Sequence, residues 1–139
     1  MKRRDQRDLA VLLLYQSDIQ NEAPDYILDI YLEENPIAEE EISFAKTRFF
    51  GTYDYYAPIY AKISGASKGW TNDRISRLAM AILRVAVFEL FYDDDVPDSV
   101  AINEAVDLAK KYEDEKIAAF VNGVLSTIVK EKQSDMGKV

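Results

Sequence analysis

Apolar positions along this chain recur every three to four residues rather than alternately, which predicts helices throughout and no convincing strand. Residues 9–15 form a nearly continuous apolar run, so a first helix over about 4–20 is buried around most of its girth beyond a basic start. Pro24 suits the first turn of a second helix, where its missing N–H is unneeded, and Asn35-Pro36 stops that helix. A third helix begins near Glu39, where three acids favour the positive end of its dipole. Phe49, Tyr53, Tyr56 and Tyr60 then share one face, most simply a core face, with Pro58 expected to kink or end the helix. Gly65, Ser67 and Gly69 mark a loop that ends at Trp70.

The segment 78–92 carries only Arg84 and Glu89 as charges and is apolar on every side, so it is expected to be the buried centre of the fold. Ser76 is its candidate N-cap. Unpaired buried charges are costly, so Arg84 and Glu89 each need a partner; Arg84 is expected to meet Glu89, Glu104 or a helix-end carbonyl. The next helix follows Pro97 and places Ala101, Ala105, Leu108, Ala109 and Tyr112 on one face. A last helix opens after Asp114 with the stripe Ile117, Phe120, Val121, Val124, Leu125 and Ile128. Gly123 inside it costs about 1 kcal/mol against Ala, which suggests a close helix crossing there. Six helices with short connections make an all-α bundle, and residues 133–139 read as a frayed, flexible tail.

Composition narrows the chemistry. The 139 residues suffice for one domain with a real core. Neither His nor Cys occurs, which removes the usual zinc sites, His-based triads, disulfides and haem ligation. No metal or cofactor is implied, and only carboxylate-based catalysis stays formally open. Asp93, Asp94 and Asp95 read as a solvated loop and helix cap rather than a magnesium site. No stretch of eighteen apolar residues occurs, and the charged start is not followed by a cleavage signal, so a cytoplasmic location without membrane insertion is expected.

The net charge of −8 opposes indiscriminate nucleic-acid binding, yet its distribution is uneven. Residues 1–16 carry a net charge of +2 through Lys2, Arg3, Arg4 and Arg7, while residues 17–45 hold nine acids and no base. Cations at a helix N-terminus are disfavoured by some tenths of a kcal/mol each, so a purely structural sequence would place acids there. A solvated tip is the plain reading, and phosphate contact is the functional one.

The ordered blocks Leu14-Tyr15, Gly51, Trp70, Ile82-Leu83-Arg84 with Glu89-Leu90, Asp95-Val96-Pro97, Ala101 to Ala105, Leu108-Ala109-Lys110 and Phe120 to Leu125 resemble the NusB family of transcription antitermination factors. The likeness is most specific over residues 70–129. It implies six to seven helices in two packed helical subdomains: one NusB-like domain over 1–132, with halves at about 1–66 and 70–132. It also implies a non-enzymatic RNA-binding factor that joins the RNA polymerase antitermination complex. Its partners would be the ribosomal protein NusE and boxA-type single-stranded RNA of ribosomal RNA operons. Lys2, Arg3, Arg4, Arg7, Lys116 and Phe120 are then the candidate RNA contacts, and Tyr15, Arg74 and Arg77 the candidate partner contacts. Phe120 stands equally for core or for an aromatic stacked on a base. Asp5 interrupts the arginine run, and Ala79 stands where the family commonly has an acid. With the acidic total, Asp5 keeps a rival reading open, an interaction module that has lost RNA binding, while Ala79 bears on the NusE contact.

Overall fold

The computed structural model describes residues 1–68 and 75–137. Among them lie seven helices and no strand: α1 (Arg3–Gln20), α2 (Pro24–Glu34), α3 (Glu39–Asp54), α4 (Tyr56–Ala66), α5 (Arg77–Tyr92), α6 (Asp98–Tyr112) and α7 (Glu115–Gly137). The expected loop position of Trp70 lies outside the described residues.

Helix α5 is the axle. Every residue from 81 to 90 is buried, and the helix packs against α1, α3, α4, α6 and α7. Its N-cap is as expected, with the Ser76 hydroxyl accepting the Ala79 N–H at 3.0 Å. Asp114 likewise caps α7, accepting the Ile117 N–H at 2.8 Å. Helices α6 and α7 pair, and Ala101, Ala105 and Ala109 of the one and Val121, Val124 and Leu125 of the other are buried within one continuous core.

The expected interruption at Pro58 divides the third helix into two, because Pro58 lacks an N–H and its ring would strike the carbonyl four residues earlier, and three other expectations change. The chain therefore breaks at Tyr55 and restarts, leaving Pro58 in the first turn of α4. That break rotates the aromatic stripe: Phe49 is core, Tyr53 is half-buried, and Tyr56 and Tyr60 face outward while Ile59 and Ile63 take the buried positions. Gly123 is exposed, and a Cβ there would meet nothing within 4 Å. The close crossing is instead at Gly51, where a Cβ would fall 2.2 Å from the Phe88 ring. Finally, α7 runs through residues 133–137 rather than fraying, since no breaker interrupts it before Gly137.

The two glycines should behave oppositely. Gly51→Ala forces Phe88 out of place and should cost about 1–3 kcal/mol. Gly123→Ala adds a methyl to open solvent and should stabilise by up to about 1 kcal/mol. Urea denaturation midpoints of the two variants check this, and a destabilised Gly123→Ala would contradict it.

Candidate nucleic-acid and partner interface

The basic start of α1 does not project freely as a unit. Arg7 faces inward, 5% exposed, and its Nε and Nη2 donate to the two carboxylate oxygens of Glu89 at 2.7 and 2.8 Å. Arg48 of α3 donates to the same carboxylate, Nε at 3.2 Å and Nη2 at 3.1 Å, and also pairs with Asp93. One carboxylate on α5 thus holds two guanidinium groups from two other helices. Arg7 is therefore withdrawn from the candidate RNA contacts: its fork is filled and its side chain is shielded from solvent.

The Phe44 ring stacks beside this clamp. Arg48 lies 3.2 Å from its centroid, Arg3 5.0 Å and Arg7 5.3 Å, so the ring's negative face lowers the repulsion among three cations. Arg4 reaches the other way, to Glu104 at 3.2 Å and Asp107 at 2.6 Å on α6. Asp8 receives hydrogen bonds from Lys111 and Tyr112, also on α6. Lys2, Arg3 and Arg4 remain exposed, and Lys116 is exposed at the start of α7. Phe120 is 4% exposed and belongs to the core, which resolves its two readings toward packing: the face of α7 that carries it is turned inward.

Arg84 is also corrected. Arg84 and Glu89 are five residues apart on α5 and leave it on different sides, so Arg84 pairs instead with Asp18 of α1 at 2.9 Å, its guanidinium carbon 5.4 Å from the ring centroids of both Tyr53 and Tyr56. Of the partner candidates, Tyr15 is half-buried against the core, Arg77 is exposed, and Arg74 lies outside the described residues. Leu12 and Ile19 are exposed on the same helix as Tyr15, at i−3 and i+4 from it, and form an apolar strip with it. Sequence reasoning missed Arg48 and Asp18. Arg48 had a usable signal: it sits at helical spacing from Ala45 and Thr52 on the buried face of α3, the same anomaly that singled out Arg84 and Glu89.

Burial pushes the Tyr53 hydroxyl above its usual pKa of 10.0, and burial followed by its bond to Asp8 does the same for Tyr112. The bond to Asp8 also raises Lys111. Among the described residues no group of acids is arranged to hold a metal ion, and no helix is long and apolar enough to cross a membrane.

A family model described as the NusB family matches residues 4–130. The transcription antitermination protein NusB of Bacillus velezensis is 39% identical over 134 residues, covering 96% of this chain and all of that protein. That of Acetivibrio thermocellus is 39% identical over 132 residues, covering 95% and 91%. Among solved structures, NusB from Aquifex aeolicus superposes with a TM-score of 0.81 at 34% identity, covering 97% of this chain and 93% of that one. A crystal structure of antitermination factors NusB and NusE in complex with dsRNA superposes at 0.81 with 32% identity, covering 94% and 99%.

Two measurements test the site's energetics. Glu89→Leu leaves buried Arg7 with only the more distant Glu104 and Arg48 with only Asp93, and should cost about 3–5 kcal/mol, whereas adding Arg7→Met and Arg48→Met should recover most of that loss. Chemical denaturation of the single and triple variants gives the coupling. The second is alkaline: with folded pKa values raised, the neutral hydroxyls of Tyr53 and Tyr112 contribute stability fully below pH 10, and it is lost as pH climbs through the folded values. Tyr53→Phe should lose about 1 kcal/mol at pH 8 with its bond to Ser17, yet lose less than the parent as pH rises above 10.0. Melting curves at those pH values decide it.

The matched span and the all-helical fold together establish that this chain belongs to the NusB family.

Proposed function

We propose that this chain is a non-enzymatic RNA-binding transcription antitermination factor, acting in the cytoplasm with NusE on boxA-type single-stranded RNA of ribosomal RNA operons. The observation that carries the proposal is the end-to-end likeness to proteins of that name, including one solved with NusE and dsRNA. Lys2, Arg3 and Arg4 are the proposed phosphate contacts on α1, with Lys116 a further cation on α7. Tyr15 and Arg77, with exposed Leu12 and Ile19, are the proposed NusE contacts, and Arg74 belongs with them by sequence position. We read the two halves expected from sequence as one domain; in support, α5 packs on α1 and α3 as well as on α6 and α7, and their buried apolar residues belong to one cluster.

A second reading, a protein-interaction module without RNA binding, is favoured by one observation. Arg4 is already paired with Glu104 and Asp107, and Arg7 is buried, so the basic tip offers less free charge than its sequence suggests. Lys2, Arg3 and Arg4 together neutralise at most three phosphates, which limits their salt slope on single-stranded RNA to about −2. So shallow a slope means weak binding by this chain alone and a partner that supplies further contacts.

Anisotropy titrations of a boxA-type RNA, single-stranded and duplex, with and without NusE, separate the readings. Under the proposal, Lys2→Ala with Arg3→Ala and Arg4→Ala weakens RNA binding and flattens the salt slope by about 2, while stability moves by no more than about 0.5 kcal/mol. Unchanged affinity and slope would favour the interaction module.

A further inference from the structure

A cavity of about 380 Å³ lies between the C-terminal end of α1, the outer face of α4 and the first turns of α5. Asp18, Tyr53, Tyr56, Tyr60, Arg77 and Arg84 line it. Arg84 is its chemical anomaly. Its side chain is 6% exposed; Nη1 donates to Asp18, while Nε and Nη2 are buried and, among the described residues, have no acceptor at hydrogen-bond distance, the nearby Tyr53 hydroxyl offering at most a weak one. Those two N–H groups form the side-on fork that accepts a carboxylate through two parallel bonds. Arg7 in this same protein presents that fork to Glu89, and Arg48 does so to one oxygen of the same carboxylate. Arg84 alone of these three leaves it unfilled, and a buried guanidinium edge without an acceptor is costly.

We infer that the Arg84 fork is a carboxylate-accepting subsite, into which a protein partner inserts an Asp or Glu side chain. Charge selects the carboxylate. The last turn of α1 turns its negative dipole end toward this region, and Asp18 and Glu22 add two acids against Arg77 and Arg84. A dianionic phosphate or an RNA backbone meets that field unfavourably, whereas one carboxylate matches the single open fork. The rim selects a protein as its carrier. Tyr56, Tyr60 and Ile19 are each about half exposed around the cavity and the adjoining turn of α1, and an aromatic rim around a buried arginine is the make-up of a protein hot spot. The rim continues along α1 to Tyr15. Entry requires the Tyr56 ring, an outward-facing residue whose centroid is 5.4 Å from the guanidinium carbon, to swing aside. The inference names the chemistry of the partner on the face proposed above for NusE, and it rests on that face being a docking surface.

The Arg84 Nε–H resonance of the full ¹⁵N-labelled chain reports on the fork directly, with those of Arg7 and Arg48 as filled internal references. The titrants are acetyl-Leu-Glu-Leu-amide, its Gln counterpart, acetate and inorganic phosphate. The expected result is a saturable Arg84 shift with the Glu peptide, about tenfold or more tighter than with the Gln peptide and tighter than with acetate or phosphate. Arg84→Lys, which keeps the charge and removes the fork, should weaken the Glu peptide by about tenfold; the wild-type titration stands if that variant fails to fold. Equal binding of the Glu and Gln peptides, or no shift with any titrant, overturns the subsite. Acetate binding as tightly as the peptide overturns the protein partner, and tighter binding of phosphate overturns the carboxylate. Because these titrations contain no NusE, a separate pull of NusE onto the wild-type chain distinguishes failure of the subsite from failure of the docking face.

Discussion

The Glu89 carboxylate is the point on which the molecule is assembled. It lies on the most buried helix, and removing it from water costs several kcal/mol unless its lone pairs are filled. Arg7 and Arg48 fill them from α1 and α3, and Asp93 balances the second cation. Apolar packing alone allows a helix to slide or rotate by a residue with modest loss. A buried two-point bond does not, because a shift of one residue strands three charges at once. The clamp therefore sets the register of α1 and α3 on α5, and with it which residues of α1 face solvent.

That register explains the odd charge pattern of α1. Four cations stand at the positive end of a helix dipole, where each is mildly unfavourable. Arg7 is there to lock the helix, and Arg4 is offset by Glu104 and Asp107 of α6. Among the described residues Lys2 and Arg3 have no comparable carboxylate, and Arg3 meets the Phe44 ring. A cation stacked on a ring keeps its N–H groups available, so the structure stores positive charge at the tip without quenching it. The nine acids of residues 17–45, with no base among them, disfavour a polyanion along the stretch that follows the tip.

Most of the fold could be read from the chain, because helix boundaries and buried stripes are local properties. The apolar girdle of residues 81–90, the caps at Ser76 and Asp114 and the alanine face of α6 follow from spacing and side-chain chemistry within one or two turns. Pairing between helices is not local. That Arg84 and Glu89 need partners was legible; which partners was not, since Asp18, Arg7 and Arg48 are 41 to 82 residues away. The glycines failed in the same manner. Gly51 and Gly123 both sit in helix interiors with the same intrinsic cost, and only the position of Phe88 separates a tight crossing from an exposed turn. Phe120 could not be placed because a stripe shows periodicity and not which residues lie opposite it.

Helix α1 thereby connects two unlike ends. From Arg3 to Asp18 it rises through fifteen residue steps, about 22 Å of rigid helix. Its start carries free cations, and its last turn carries an acid that holds one edge of Arg84 and leaves the other open. A polyanion is attracted at the first end and repelled at the second, so the two proposed ligands would not compete for one surface. The clamp at Arg7 lies one turn from the basic tip, and Asp18 ties the far end to the same α5 that bears Glu89. With both ends fixed to one buried helix, neither can shift without moving α5 within the core. The two surfaces therefore stand at a constant separation before any ligand arrives, and the ordering entropy of presenting them together is met by folding rather than by binding.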